Sequence, residues 1–211
     1  GEVAKHWLPQ RFARADRPLR FESIGDVHPV LGAPHEPLCE AAGWTPAPGL
    51  GEADIVISQI PHFRGTDVTD VTYLESSLAA ALERALPMLC LNPDRVVLDA
   101  AGRPVARQGA VAALYEQMGG TVVYLGKPYP DVFHAALSQF CQRGIAHVRD
   151  ICMVGDTPET DIEGARAIGL GTALVGETGI FSARHGPLWR DEAVKLPGFQ
   201  RPDFLIDRIA L

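Results

Sequence analysis

None of the apolar runs in these 211 residues approaches the roughly 20 residues that a membrane-spanning helix needs. The first residues, Gly1 to His6, also lack the apolar centre of a signal peptide. There is no excess of cations. The formal net charge is −7, which disfavours nonspecific nucleic-acid binding, where a basic face must neutralise phosphates. Cysteine is sparse: Cys39, Cys90, Cys141 and Cys152 are scattered and form no Cys-x-x-Cys pair, which argues against disulfide and zinc frameworks. Cys90 and Cys152 sit in apolar strand-like runs and read as small core residues. A reducing, cytoplasmic setting follows as the default expectation. A Gly-x-Gly-x-x-Gly run after an early strand is missing too, so a dinucleotide-binding Rossmann domain has no support.

The remaining pattern is strands alternating with helices. A Pro- and Gly-rich stretch from Gly32 to Gly51 follows an N-terminal portion that reads as irregular, apart from a first dozen residues resembling the start of a helix. Ala53–Ser58 reads as a buried strand, and Thr72–Leu82 as an amphipathic helix ended by Pro87. Met88–Leu91 is a second strand. Gly109–Met118 is helical up to Gly119-Gly120, and Thr121–Leu125 is a β-branched strand. Pro130 opens a helix with Val132, Phe133, Ala136, Leu137 and Phe140 on one face. Ile151–Val154 shows no polar alternation, as expected of a strand covered on both faces. A helix over Glu159–Ile168 stops at Gly169, and Thr172–Val175 is a further strand. Such alternation predicts a doubly wound, parallel α/β sheet.

Chemistry in such sheets collects in loops at the carboxyl ends of strands. Gly126-Lys127-Pro128 leaves one strand, and its stiffened backbone suits an ammonium aimed at an anion; the plainer alternative is a solvated loop lysine. Gly155-Asp156-Thr157-Pro158-Glu159-Thr160-Asp161 leaves another. There Asp156 offers a hard oxygen ligand suited to magnesium, and Asp161 falls in the first turn of the next helix. The plainer alternative makes Thr157 an N-cap and both acids helix-dipole partners.

Taken together, Gly-Lys-Pro, an amphipathic helix, an apolar strand and Gly-Asp-x-x-x-x-Asp resemble the third and fourth motifs of the haloacid dehalogenase (HAD) superfamily. The run Val154–Ala165 is similar to the fourth motif of its class IIA capped phosphatases. Asn92-Pro93-Asp94 resembles the tripeptide that closes the inserted cap, and Tyr129-Pro130 and Gly176–Gly179 fit the same class. The resemblance implies an α/β, doubly wound parallel HAD-like (Rossmannoid) core with an inserted α/β cap domain. It puts the cap at residues 1–94 and the C-terminal part of the core at 95–211. It implies a magnesium-dependent phosphomonoester hydrolase working through an aspartyl-phosphate. Asp156 would ligate Mg2+, Lys127 would hold nucleophile and phosphoryl group together, and Asp161 would orient Lys127. Thr157 would touch the bound phosphate. The implied partner is a small phosphorylated metabolite, a sugar phosphate or nucleotide, with a homodimer possible through the cap and no nucleic acid or membrane partner.

The first motif, Asp-x-Asp, is absent from these residues, and so is the second-motif Ser or Thr; Asp67 and Asp70, three apart, cannot replace the pair. By the resemblance both motifs lie N-terminal to Gly1, a residue that is itself not an initiator Met. The expectation is therefore a processed or partial chain, inactive alone, whose Ile151–Val154 strand is left with an unpaired edge and an exposed apolar face and whose partner is the missing N-terminal segment. Two alternatives stay open: another phosphoryl-transferring or dehalogenating member of the superfamily, and a catalytically inactive metal- or phosphate-binding regulatory module of the same fold. His28, His35, His62 and Arg64 are candidate substrate-facing residues of the cap, and His185 and Trp189 candidate rim residues. Trp7 and Trp44 read as packing residues.

Overall fold

The computed structural model describes residues 8, 12, 16–25, 35–61, 69–99, 101–145 and 147–209. The helix-like first dozen residues, together with Trp7, His28, His62, Arg64 and Asp67, therefore lie essentially outside the described residues. By packing, the chain divides into a unit of residues 1–97 with 104–125 and a unit of residues 98–103 with 126–211.

The N-terminal unit is built on an all-parallel five-stranded sheet. Its strands are β1 (Arg20–Ile24), β2 (Thr45–Pro46), β3 (Ile55–Ser58), β4 (Met88–Cys90) and β7 (Val122–Tyr124), in the order β2-β1-β3-β4-β7. β3 is buried along its whole length, so its alternate side chains serve two cores. Ile55 and Ile57 pack with Phe21, Leu89, Cys39 and Trp44 under helix α1 (Glu36–Ala41). Val56 packs with Met88, Leu78, Val111 and Tyr115 under α2 (Glu75–Glu83) and α3 (Gln108–Gln117). Between β4 and β7, β5 (Val96–Leu98) and β6 (Pro104–Ala106) form a two-stranded ladder.

The C-terminal unit carries a three-stranded parallel sheet in the order β10-β9-β8, made of β8 (Cys152–Gly155), β9 (Gly171–Val175) and β10 (Phe204–Ile206). Leu174 of β9 packs with Ile162, Phe181 of α6 (Gly179–His185), and Trp189 and Ala193 of α7 (Trp189–Ala193). Phe133 of α4 (Pro130–Gln142), Ala165 of α5 (Glu163–Ala167) and Leu170 form a separate cluster joined by Ile151 and Met153.

The parallel α/β class expected from the alternation is present, and several details differ. The N-terminal portion expected to be irregular holds β1, α1 and β2; in β1 only Phe21 and Ile24 are buried, three apart with Glu22 and Ser23 between them, so Arg-Phe-Glu-Ser-Ile shows neither strand alternation nor an apolar run. Packing also sets Pro104–Leu125 with the N-terminal sheet, because β7 pairs with β4 (Met88 with Val122, Cys90 with Tyr124). Cys90 is buried as expected, but Cys152 is exposed. β8 is an edge strand, and Cys152 and Val154, on one face of it, are exposed, Val154 at 40 %. The expectation of cover on both faces of β8 therefore fails, whereas the expectation of an open edge and exposed apolar residues there holds.

Candidate active site

Four side chains singled out from the sequence meet above the carboxyl end of β8. Asp156 follows the last residue of that strand, and Asp161 lies in the next turn, a single π-helical turn over Pro158–Ile162 that leads into α5. A regular α-helix from Glu159 was expected; the wider π turn appears where the Asp161 carboxylate folds back over its own loop, and such turns are frequent at functional sites. Asp161 Oδ2 accepts the backbone N–H of Asp156 at 3.0 Å and of Thr157 at 3.1 Å. Its Oδ1 accepts the Lys127 ammonium at 2.5 Å. Asp161 is 2 % exposed while the Lys127 side chain is 40 % exposed, so one buried carboxylate ties two loops together and leaves the ammonium facing outward. An ammonium has three N–H donors, so Lys127 keeps donors for an anion while Asp161 sets its direction.

The simple capping role considered for Thr157 does not hold. It is the residue before the turn but makes no side-chain cap; its hydroxyl donates instead to Asp156 Oδ1 at 3.2 Å. Asp156 Oδ2 accepts the backbone N–H of Ile180 at 2.8 Å, and its carbonyl accepts that of Phe181 at 3.2 Å. The carboxylate is thus fixed by the start of α6 on one oxygen and by Thr157 on the other. Two glycines make this approach possible. A Cβ on Gly179, whose φ is +82°, would sit 1.7 Å from Asp156 Oδ2, and one on Gly155 would sit 2.2 Å from Asp161 Oδ2. These glycines and the Ile180 amide are the site contributors whose roles the sequence did not reveal. Gly176–Gly179 was noticeable as a motif, but nothing in its spacing gave the contact with Asp156.

Magnesium commonly takes one or two carboxylates, completing its shell with waters and substrate oxygens. Among the described residues no group of three or more His, Cys, Asp and Glu side chains could hold a metal alone. Asp156 fits as a single hard ligand: it is a carboxylate held in place, and Oδ1 accepts one weak hydroxyl contact rather than an ion pair. No helix among the described residues is long and apolar enough to cross a membrane.

The other sequence candidates separate from this cluster. Trp189, considered for the rim, is buried at 6 % beside Leu174 and Phe181; its indole lies where a Gly176 Cβ would be. His185 packs its ring on Phe181 at 4.5 Å. Trp44 is buried and meets Phe12 edge-on, as a packing residue should. His35 belongs to the N-terminal unit.

Residues 124–210 match the HAD-hydrolase-like family. Over 107 residues the chain is 29 % identical to the dihydroxyacetone phosphatase of Corynebacterium glutamicum, a match covering 49 % of this chain and 38 % of that protein. A haloacid dehalogenase-like hydrolase of Brucella suis 1330 superposes with a TM-score of 0.64 at 25 % identity, covering 88 % of this chain and 66 % of that one. The glycerol phosphate phosphatase of Mycobacterium tuberculosis, solved with magnesium, gives the same TM-score at 24 % identity, with 98 % of this chain and 54 % of that one covered. That last likeness speaks to fold alone. In each case the chain spans less than two thirds of its relative's length.

Proposed function

From the match of residues 124–210 to the HAD-hydrolase-like family, we propose that this chain belongs to the haloacid dehalogenase superfamily and that its parent protein is a magnesium-dependent phosphomonoester hydrolase of the class IIA, capped type. The observation that carries the reading is the Lys127–Asp161 pair hydrogen-bonded back to the Asp156–Thr157 backbone. An outward ammonium and a fixed carboxylate above one strand end suit a phosphate, whose negative charge would otherwise repel an attacking carboxylate.

In this reading an aspartate from outside these residues attacks phosphorus, the P–O ester bond breaks, and the alcohol leaves with a proton. Water then cleaves the aspartyl-phosphate to release inorganic phosphate. Lys127 binds the phosphoryl oxygens and the nucleophile through its free N–H donors. Asp161 keeps that ammonium aimed. Thr157 offers its single O–H to a phosphate oxygen, giving up its donation to Asp156 Oδ1 when substrate binds. Asp156 would hold magnesium, which when bound offsets phosphate charge as a Lewis acid. The substrate class is a small phosphorylated metabolite, a sugar phosphate or nucleotide, and the names of the relatives draw attention to three-carbon phosphates. The module from residue 1 to Asp94 serves as the cap, and a strand of the parent protein pairs with the open edge of β8. That edge, with Val154 exposed, supports the pairing.

The test is a phosphatase assay on the full-length protein across phosphomonoesters, with and without magnesium. Turnover that needs magnesium and disappears in Asp156→Asn is expected. Magnesium binding without turnover on any ester would overturn the hydrolase and leave a binding module.

A further inference from the structure

Three acids stand between Asp156 and Asp161 inclusive, and the phosphoryl site uses the first and the last. The third, Glu159, lies on the π turn between them. Its side chain turns to helix α6, where Glu159 Oε1 accepts an N–H of Arg184 Nη1 at 2.5 Å, 25 residues along the chain. Both side chains are about half exposed, so the plainer alternative is a surface ion pair that adds little to stability. Arg184 also lies in the last turn of α6, a position that suits a cation in any case.

Helix α6 is, however, the element that holds Asp156. The Ile180 N–H donates to Asp156 Oδ2 at 2.8 Å, and the Phe181 N–H donates to the Asp156 carbonyl at 3.2 Å. Ile180 and Arg184 are four residues apart, so they share one face of the helix, about one turn or roughly 5.4 Å apart. The metal loop therefore meets that face twice, through Asp156 near the start of α6 and through Glu159 near its end. Phe181 seats the helix against Ile162 and Leu174. About that seat, two contacts on one face set the direction of the helix, where one would leave it free to swivel. The Asp156 carboxylate depends on that direction most when substrate is present. Once the Thr157 hydroxyl turns to phosphate, Oδ1 gives up that donor, and the Ile180 amide still holds Oδ2.

We propose that Glu159 and Arg184 are positioning residues for the metal ligand: their ion pair sets the direction of α6 and, through the Ile180 amide, the direction of the Asp156 carboxylate. The inference rests on the reading of Asp156 as a magnesium ligand. Charge and position make opposite demands on the two partners. Glu159→Gln removes a negative charge from the metal loop and Arg184→Gln removes a positive one. A field effect alone would weaken magnesium binding in the first and strengthen it in the second. Loss of positioning weakens it in both.

The test is calorimetric magnesium titration of the full-length protein without substrate, in the wild type, Glu159→Gln, Arg184→Gln and Arg184→Lys. Both Gln variants should bind magnesium about tenfold more weakly, the low end of what losing an outer partner costs a metal site. Their urea midpoints should stay near wild type, because the pair is half exposed. Arg184→Lys keeps the charge and an N–H donor for Glu159, and should retain most of the affinity. Opposite effects of the two Gln variants would leave only a field effect and overturn the proposal. Urea midpoints that fall in step with affinity would overturn it too, since the pair would then be merely structural. Wild-type binding that neither Gln variant weakens removes this inference alone, whereas a wild-type protein that binds no magnesium removes the metal reading and this inference with it.

Discussion

At the scale of single residues, Asp161 does three jobs with one carboxylate, and its variants should separate them. The ion pair with Lys127 contributes modestly to stability, under about 1 kcal/mol, because the lysine side chain is 40 % exposed. The two amides bonded to Oδ2 matter more, since an orphaned buried donor costs about 1–3 kcal/mol. Asp161→Asn keeps an acceptor for one or both amides. It should unfold within about 1 kcal/mol of wild type in urea while activity of the full-length protein falls roughly 10- to 100-fold through the misdirected lysine. Asp161→Ala should lose several times more stability than Asn. Equal stability losses for the two variants would show that the amide bonds contribute nothing. Gly179→Ala tests the other carboxylate. A positive φ alone costs about 1–3 kcal/mol without glycine, and the added carbon would collide with Asp156 Oδ2. Magnesium titration should show weaker binding in that variant, together with a lower urea midpoint.

At the scale of elements, the edges of the C-terminal sheet set the expected behaviour. β10 is pinned to β9 by Asp203, whose carboxylate accepts the Thr172 N–H and hydroxyl, both at 2.9 Å, and Arg166 at 2.9 Å. Burial pushes the Asp203 pKa up, but the Thr172 and Arg166 hydrogen bonds outweigh it and hold it below the usual carboxylate range. A carboxylate with a depressed folded pKa adds stability that is full above its unfolded value and lost as pH falls through its folded value. Urea midpoints should therefore drop below about pH 4, and Asp203→Asn should flatten that part of the profile. At the other edge, β8 exposes Cys152. Burial pushes Cys39 up to about 12 and Cys90 up to about 11, so neither should react with iodoacetamide at pH 8. Cys141 and Cys152 are exposed and should react, Cys152 more slowly because burial raises its pKa too. If a strand of the parent protein covers β8, Cys152 should be protected in the full-length protein and labelled in the 211-residue chain. Equal labelling in both would remove the proposed pairing.

At the scale of the whole molecule, the 211 residues contain a lysine, a metal-binding candidate and a positioning carboxylate, but no Asp-x-Asp pair to supply the nucleophile. The expected outcome is that this chain by itself turns over no phosphomonoester in magnesium, while the full-length protein does. Robust turnover by the chain alone would remove the catalytic assignment of Lys127, Asp156 and Asp161. The net charge of −7 leaves the substrate's phosphate dependent on local cations, so activity of the full-length protein should depend on magnesium more steeply than on ionic strength.

Alternation of apolar runs with amphipathic segments was enough to determine the parallel α/β class, because helical and extended periods differ and each must bury one stripe or face. Spacing put Lys127, Asp156, Thr157 and Asp161 each after a strand end or in the turn beyond it, and the resemblance to the HAD motifs implied that they act together. Tertiary structure alone decided the rest. Polar residues break up β1, β2 is only two residues long, and both, like β10, exist because neighbouring strands satisfy their backbone groups. The exposure of Cys152 depends on which strand lies beside β8, which no local pattern records. The contact of Gly179 with Asp156, and the pairing of Gln59 with Ser23 36 residues away, arise only when the chain folds back, because both need close approach between segments distant in sequence.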